Sequence, residues 1–134
     1  MKIQIILAFI FILPILSCQK SESKIGYVPV KKSGYISNVP ADIETVKVFK
    51  SDKSIQCEFK GIELDVMAQE LLDKGITIFC WQKESDGLFR TSVCGSGTGS
   101  INVYLISEDS LQDAESLGFN SVSELSEYRD SPCE

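Results

Sequence analysis

The sequence predicts a small α+β fold, a two-layer sandwich with two helices on one face of a mixed, mostly antiparallel sheet of about five strands. Three observations lead there. The apolar period switches between two and 3.6 along the chain, as it does when strands and helices alternate. Glycines fall where the period changes. The resulting order is strand, strand, helix, three strands, then helices.

Thr45 to Lys50 (TVKVFK) and Ile55 to Phe59 (IQCEF) both alternate, with polar Ser51 to Ser54 between them, which predicts a hairpin. In its second strand Ile55, Cys57 and Phe59 share a face, so Cys57 is expected to point at the core. After Gly61, the recurrence of Leu64, Met67, Ala68 and Leu71 predicts a helix over about 63–74, closed by Gly75. Ile76 to Gln82 (ITIFCWQ) is apolar on both faces and is expected to be a central strand. Strand, helix and strand from Ile55 to Gln82 then fit a parallel crossover. Ser85-Asp86-Gly87 turns the chain, and Leu88 to Cys94 is expected to return antiparallel. Ile101 to Ile106 (INVYLI) is another strand. Ser107 can cap a helix carrying Leu111, Ala114 and Leu117 and ending at Gly118, and Ser121 with Glu124 fits a capping box for a last short turn. A ferredoxin-like arrangement is one topology this order allows.

The chain begins with Lys2 and then runs apolar from Ile3 to Leu16, broken only by Gln4, before Ser17 and Cys18. A charged start, an apolar stretch too short for a span of about 20 residues and a small-residue cut site describe a secretory signal peptide. Ile15-Leu16-Ser17-Cys18 resembles a bacterial lipoprotein lipobox. The resemblance covers about the first 18 residues. It implies cleavage before Cys18, lipidation of Cys18 with diacylglycerol and an amide-linked chain such as palmitate, and anchorage in the cell envelope. Gln19, which is not Asp, implies the outer membrane if the cell is Gram-negative. The expected division is residues 1–17 as signal peptide, 18–43 as tether and extended segment, and 44–134 as one domain.

Loss of the signal leaves 12 basic against 19 acidic residues, a net charge of −7. Such a chain does not bind nucleic acid by neutralising phosphates. The sequence contains no histidine, so Ser-His-Asp and Cys-His catalysis and histidine-bearing zinc sites are unavailable. No cofactor or metal is expected.

Beyond Cys18 stand Cys57, Cys80, Cys94 and Cys133, with no C-x-x-C among them. An even number in an exported domain reads as two disulfides. If Gly87 closes a three-residue loop, Cys80 and Cys94 share a face as diagonal neighbours about 7–8 Å apart, which a twist or bulge could bring into reach. That favours Cys80–Cys94 with Cys57–Cys133. Cys57–Cys80 is the rival.

Gly95-Ser96-Gly97-Thr98-Gly99 is the most conspicuous local composition in the mature chain and the candidate functional loop. Its glycines could bring amides to an anion, but a phosphate loop or dinucleotide fingerprint opens a helix, and here a strand follows. The function expected is therefore a non-catalytic, lipid-anchored interaction or binding domain that meets a membrane through Cys18 and a protein partner in the envelope. Two alternatives are an inhibitor or immunity protein capturing a cationic hydrolase, and a hydrolase using Glu84 and Asp86 as a carboxylate pair.

Overall fold

The structure, a computed structural model, describes residues 34–35 and 39–132. The signal segment, Cys18 and Cys133 lie outside the described residues. The elements are β1 (Gly34–Tyr35), β2 (Thr45–Ser51), α1 (Leu64–Asp73), β3 (Ile78–Ser85), β4 (Ser100–Ser107), α2 (Leu111–Ser116) and β5 (Asn120–Ser121), with single 3-10 turns at Glu108–Ser110 and Val122–Glu124. The sheet runs β1-β3-β4-β2-β5 and every neighbouring pair is antiparallel. β2 and β3 are parallel to each other but separated by β4, so α1 makes a split crossover.

β4 occupies the centre because it is apolar on both faces. Tyr104 and Ile106 point to the helices and Ile101 and Val103 to the opposite side, and none is more than 2% exposed. It pairs with β2 from Thr45↔Ser107 to Ser51↔Ile101 and with β3 from Ile78↔Ile106 to Ser85↔Ser100. β3, the expected central strand, has among the described residues only the two of β1 on its outer side.

Under the helices, Leu64, Met67, Ala68 and Leu71 of α1 meet Val48, Ile78, Tyr104 and Ile106 of the sheet, with Ala114 and Phe119 closing the α2 side. The Tyr104 hydroxyl donates to the Leu64 carbonyl at 2.7 Å, and its ring meets Phe119 edge-on at 5.7 Å. Burial, reinforced by Glu70 and Asp65, pushes the Tyr104 phenol far above its ordinary range, so it stays a donor. Lys50 lies over the Phe119 ring at 4.9 Å and donates to Glu70 and to the Leu117 carbonyl.

The second face carries Lys47, Gln82 and Glu84, and the chain beyond β5 crosses it as a strap. Lys47 bonds Asp130 and the Ser131 carbonyl, Gln82 donates to Ser131, and the Ser131 hydroxyl donates to Glu84 at 2.6 Å.

The α+β class and α1 follow expectation; α2 begins only at Leu111, after the 3-10 turn and without a cap bond from Ser107, and two expected strands do not form. Residues 55–59 close on themselves: Ile55 accepts from Glu58 and Phe59 and donates back to the Phe59 carbonyl. Cys57 stands at the apex with φ +68° and is exposed rather than core-facing. β2 pairs with β4 instead, over seven residues where the hairpin offered five. Residues 88–94 form no strand either. Asp86 accepts from the Leu88 amide and from Arg90, bending the chain away from β3, whose antiparallel partner is β4. The parallel crossover accordingly starts from β2, not from Ile55.

Candidate functional site

Two long loops leave the same end of the sheet: residues 52–63 follow β2, and residues 86–99 join β3 to β4. At the root of the first is Asp52, fully buried at the end of β2. Its Oδ1 accepts from the Ser54 amide at 2.8 Å, Lys83 Nζ stands 2.8 Å from Oδ2, and its carbonyl accepts from Ile62 at 2.7 Å. Burial alone would raise the carboxyl; Lys83, the hydroxyl and amide of Ser54 and the Ser100 hydroxyl outweigh it, and the net shift is downward. Gly61, at φ +94°, lies against this carboxylate so closely that a Cβ would sit 2.6 Å from Asp52 Cγ.

Asp86 does the corresponding work in the second loop. It binds the Leu88 amide and Arg90, and its own amide donates to the Gly99 carbonyl at 2.9 Å. Any side chain at Gly99 would collide with Arg90 Nε and with Asp86 Oδ1.

The loops are then tied to each other. A disulfide joins Cys57 to Cys94. Around it the Gly95 amide donates to the Gln56 carbonyl, Gln56 to Ser96, and Thr98 to Ser54, at 2.9 to 3.1 Å. Gln56 Nε2 reaches the Thr91 carbonyl, and the Ser54 and Thr98 hydroxyls bond each other. This corrects both expected pairings of these cysteines: Cys57 is bound to Cys94, so neither Cys80–Cys94 nor Cys57–Cys133 nor the rival Cys57–Cys80 exists here. The reason is that the chain segments bearing Cys57 and Cys94 are paired loops, while Cys80 sits on the second face of β3. Cys80 is itself disulfide-bonded, to a residue outside those described.

The glycine loop lies within this end, and three of its five amides are engaged in bonds to neighbouring carbonyls. Those of Gly95, Ser96 and Thr98 donate to Gln56, Val93 and Ser54, and Gly97 bridges to Ile55. Its geometry serves loop-to-loop pairing rather than an anion cradle. Glu84 and Asp86 are not brought together as a pair: Glu84 accepts from Gln82 and Ser131 at the strap, and Asp86 holds Arg90.

Among the side chains that these loops expose are four large apolar ones. Phe59 is 48% exposed, Leu88 51%, Val93 56% and Phe89 94%. A cleft of about 570 Å³ runs between Asp52, Phe59, Lys60, Lys83 and Thr98, and a second of about 370 Å³ lies beside Arg90, Gly97 and Leu125. Sequence reasoning missed Asp52, Lys83 and Phe89. Asp-Lys-Ser at 52–54 carries a readable turn signal, an Asp side chain bonding the amide two residues on; the exposure of Phe89 has no such signal, because an apolar residue following a turn reads equally as the start of a returning strand.

Among the described residues no group of three His, Cys, Asp or Glu could hold a metal ion, and no helix is long and apolar enough to cross a membrane. No family model, curated protein or solved structure matches the chain.

Proposed function

We propose that the protein is a cell-envelope lipoprotein, anchored by acyl chains on Cys18, whose domain binds rather than catalyses and does so through its disulfide-stapled loop end. The observation that carries this reading is the set of exposed apolar side chains, Phe59, Leu88, Phe89 and Val93, on loops already fixed by Cys57–Cys94 and by the Asp52 and Asp86 carboxylates. Apolar residues concentrated at one exposed site mark interaction surfaces. A surface held in place before contact loses less conformational freedom on binding. The outer membrane is the expected location in a Gram-negative cell, given Gln19. The β-α-β-β-α-β order with antiparallel neighbours supports a ferredoxin-like arrangement, although fold analogy assigns no activity.

The anchor has a covalent corollary. With Cys18 carrying lipid and Cys57 bound to Cys94, Cys133 is the cysteine left for Cys80. Ser131, two residues earlier, bonds Gln82 and Glu84 on the face that Cys80 shares. Labelling with radioactive palmitate is expected to mark the protein and to be lost in Cys18→Ala. Peptide mapping of the same protein without reduction is expected to give Cys57–Cys94 and Cys80–Cys133; an unlabelled protein with a Cys18–Cys80 peptide overturns the reading.

A second reading, capture of a cationic envelope hydrolase as an inhibitor or immunity protein, rests on charge. Outside the two loops, residues 39–132 hold 13 acidic and 5 basic side chains, a net of −8. A hydrolase built on Glu84 and Asp86 gains no support from their surroundings, since each carboxylate is taken up by a neighbour.

A further inference from the structure

We infer that the surface receiving the stapled loops is the lipid bilayer itself, with Phe89 and its apolar neighbours in the headgroup region and the acidic body of the domain turned away. This rests on the proposed anchor and specifies the partner of the same site. Two independent features point to it, and the path of the chain is compatible with it.

The first is chemical. Both loops put an exposed aromatic ring directly before a cation, Phe59-Lys60 and Phe89-Arg90, with Leu88 and Val93 alongside. In the Phe59-Lys60 pair the ring suits a membrane interface with the exposed ammonium among headgroups; at Phe89 the neighbouring cation, Arg90, is held by Asp86 and the ring alone is offered. Phe89, almost wholly exposed, touches too little of its own domain to be explained by folding.

Charge distribution is the second. Residues 52–63 and 86–99 hold 3 basic and 4 acidic side chains, a net of −1, against −8 for the rest of residues 39–132. The stretch between anchor and domain, residues 19–33, contains Lys20, Lys24, Lys31 and Lys32 against Glu22 alone, a net of +3. Positive charge beside the lipid, a nearly neutral loop end and a strongly acidic remainder form a gradient. An anionic leaflet attracts its first part and repels its last.

The path of the chain is compatible with this orientation. β1 is antiparallel to β3, with Gly34 opposite Trp81 and Tyr35 opposite Cys80, so its N-terminal end is directed toward the Ser85 end of β3, from which the second loop departs. The segment from Cys18 therefore joins the domain heading from the loop end. Its fifteen residues span at most about 50 Å, enough to let either end of the domain reach the bilayer, so the surfaces rather than the tether set the orientation.

The test uses the full, lipidated chain reconstituted into vesicles of phosphatidylethanolamine and phosphatidylglycerol, with and without brominated phosphatidylcholine as a quencher in the acyl region. Phe89→Trp adds an emitter at the loop end, Val66→Trp adds one on the exposed side of α1, and the wild type, with Trp81 alone, is the baseline. Expected is quenching of the emission added by Phe89→Trp by about twofold with a blue shift, while the emission added by Val66→Trp and that of the wild type stay unchanged. If the chain floats with the vesicles but the Phe89→Trp emission is unquenched, the inference is overturned while the anchor stands, and the loop end is free for a protein partner. Failure of the wild type to float with vesicles instead overturns the anchor, and the orientation falls with it.

Discussion

On the helix-covered face of the sheet, apolar side chains meet one another: Met67 and Leu71 against Val48, Tyr104 and Ile106, all fully buried or nearly so. At the loop end the apolar side chains face outward, and order is kept by a disulfide, by loop-to-loop amide bonds and by two carboxylates bound at their roots. The first region gains its stability from removing surface from water; the second keeps its surface in water and is restrained by links that act on the backbone. A domain of this size has one modest core, and a surface reserved for contact has to be stiffened by something other than that core.

The contrast can be broken from either side. Phe119→Ala removes a ring that closes the core beneath Lys50 and against Tyr104, and is expected to lower stability by about 3–5 kcal/mol in chemical denaturation. Replacing Cys57 and Cys94 together by Ala frees a loop spanning 37 positions and is expected to cost about 3–4 kcal/mol. Hydrogen exchange should then show Gln56, Gly95 and Thr98 losing protection while the β2–β4 ladder keeps it; equal opening of both would mean the two regions are one cooperative unit. Lys83→Met leaves the Asp52 carboxylate buried without its cation and is expected to cost about 2–3 kcal/mol at neutral pH. The pH dependence sharpens this. Because Asp52 titrates below its unfolded value of about 3.9, its contribution is fully present above that pH and is lost as pH falls through the lowered folded value. In Lys83→Met the carboxyl loses the cation that offsets its burial and its folded-state pKa rises, so the acid-induced loss of stability contributed by Asp52 is expected to shrink, and to reverse into a gain on protonation where burial dominates.

Which parts are legible in the sequence follows the same division. The four apolar residues of α1, the two-faced run of β4 and the alternation of β2 are written in the chain because burial selects them, and each forms where its period says. Ile55 to Phe59 alternates just as well and Leu88 to Cys94 follows a turn signal, yet neither records a core. Cys57 takes a left-handed turn, and Phe89 faces solvent. Period alone cannot separate a strand from a loop whose apolar residues are kept for contact. The cysteine pairing escapes sequence reasoning for a related reason: strand registers do not reach it, since the segments bearing Cys57 and Cys94 meet through loop amides. The candidate glycine loop does belong to the stapled end, but Asp52 and Lys83, which root it, lie in β2's exit and in β3 and become neighbours only once β4 has zipped the sheet.

On the proposed lipid anchor, the sheet's margins matter for how copies of the chain meet. A chain held there by lipid is confined to two dimensions with its own copies nearby, conditions in which an open strand edge invites pairing between molecules and ordered aggregation. Among the described residues the outermost strands, β1 and β5, show two residues each, and β3 carries Lys83 and Glu84 between Gln82 and Ser85. Short, charged margins offer little template for a second copy, so crowding along a bilayer can leave the folded chains separate.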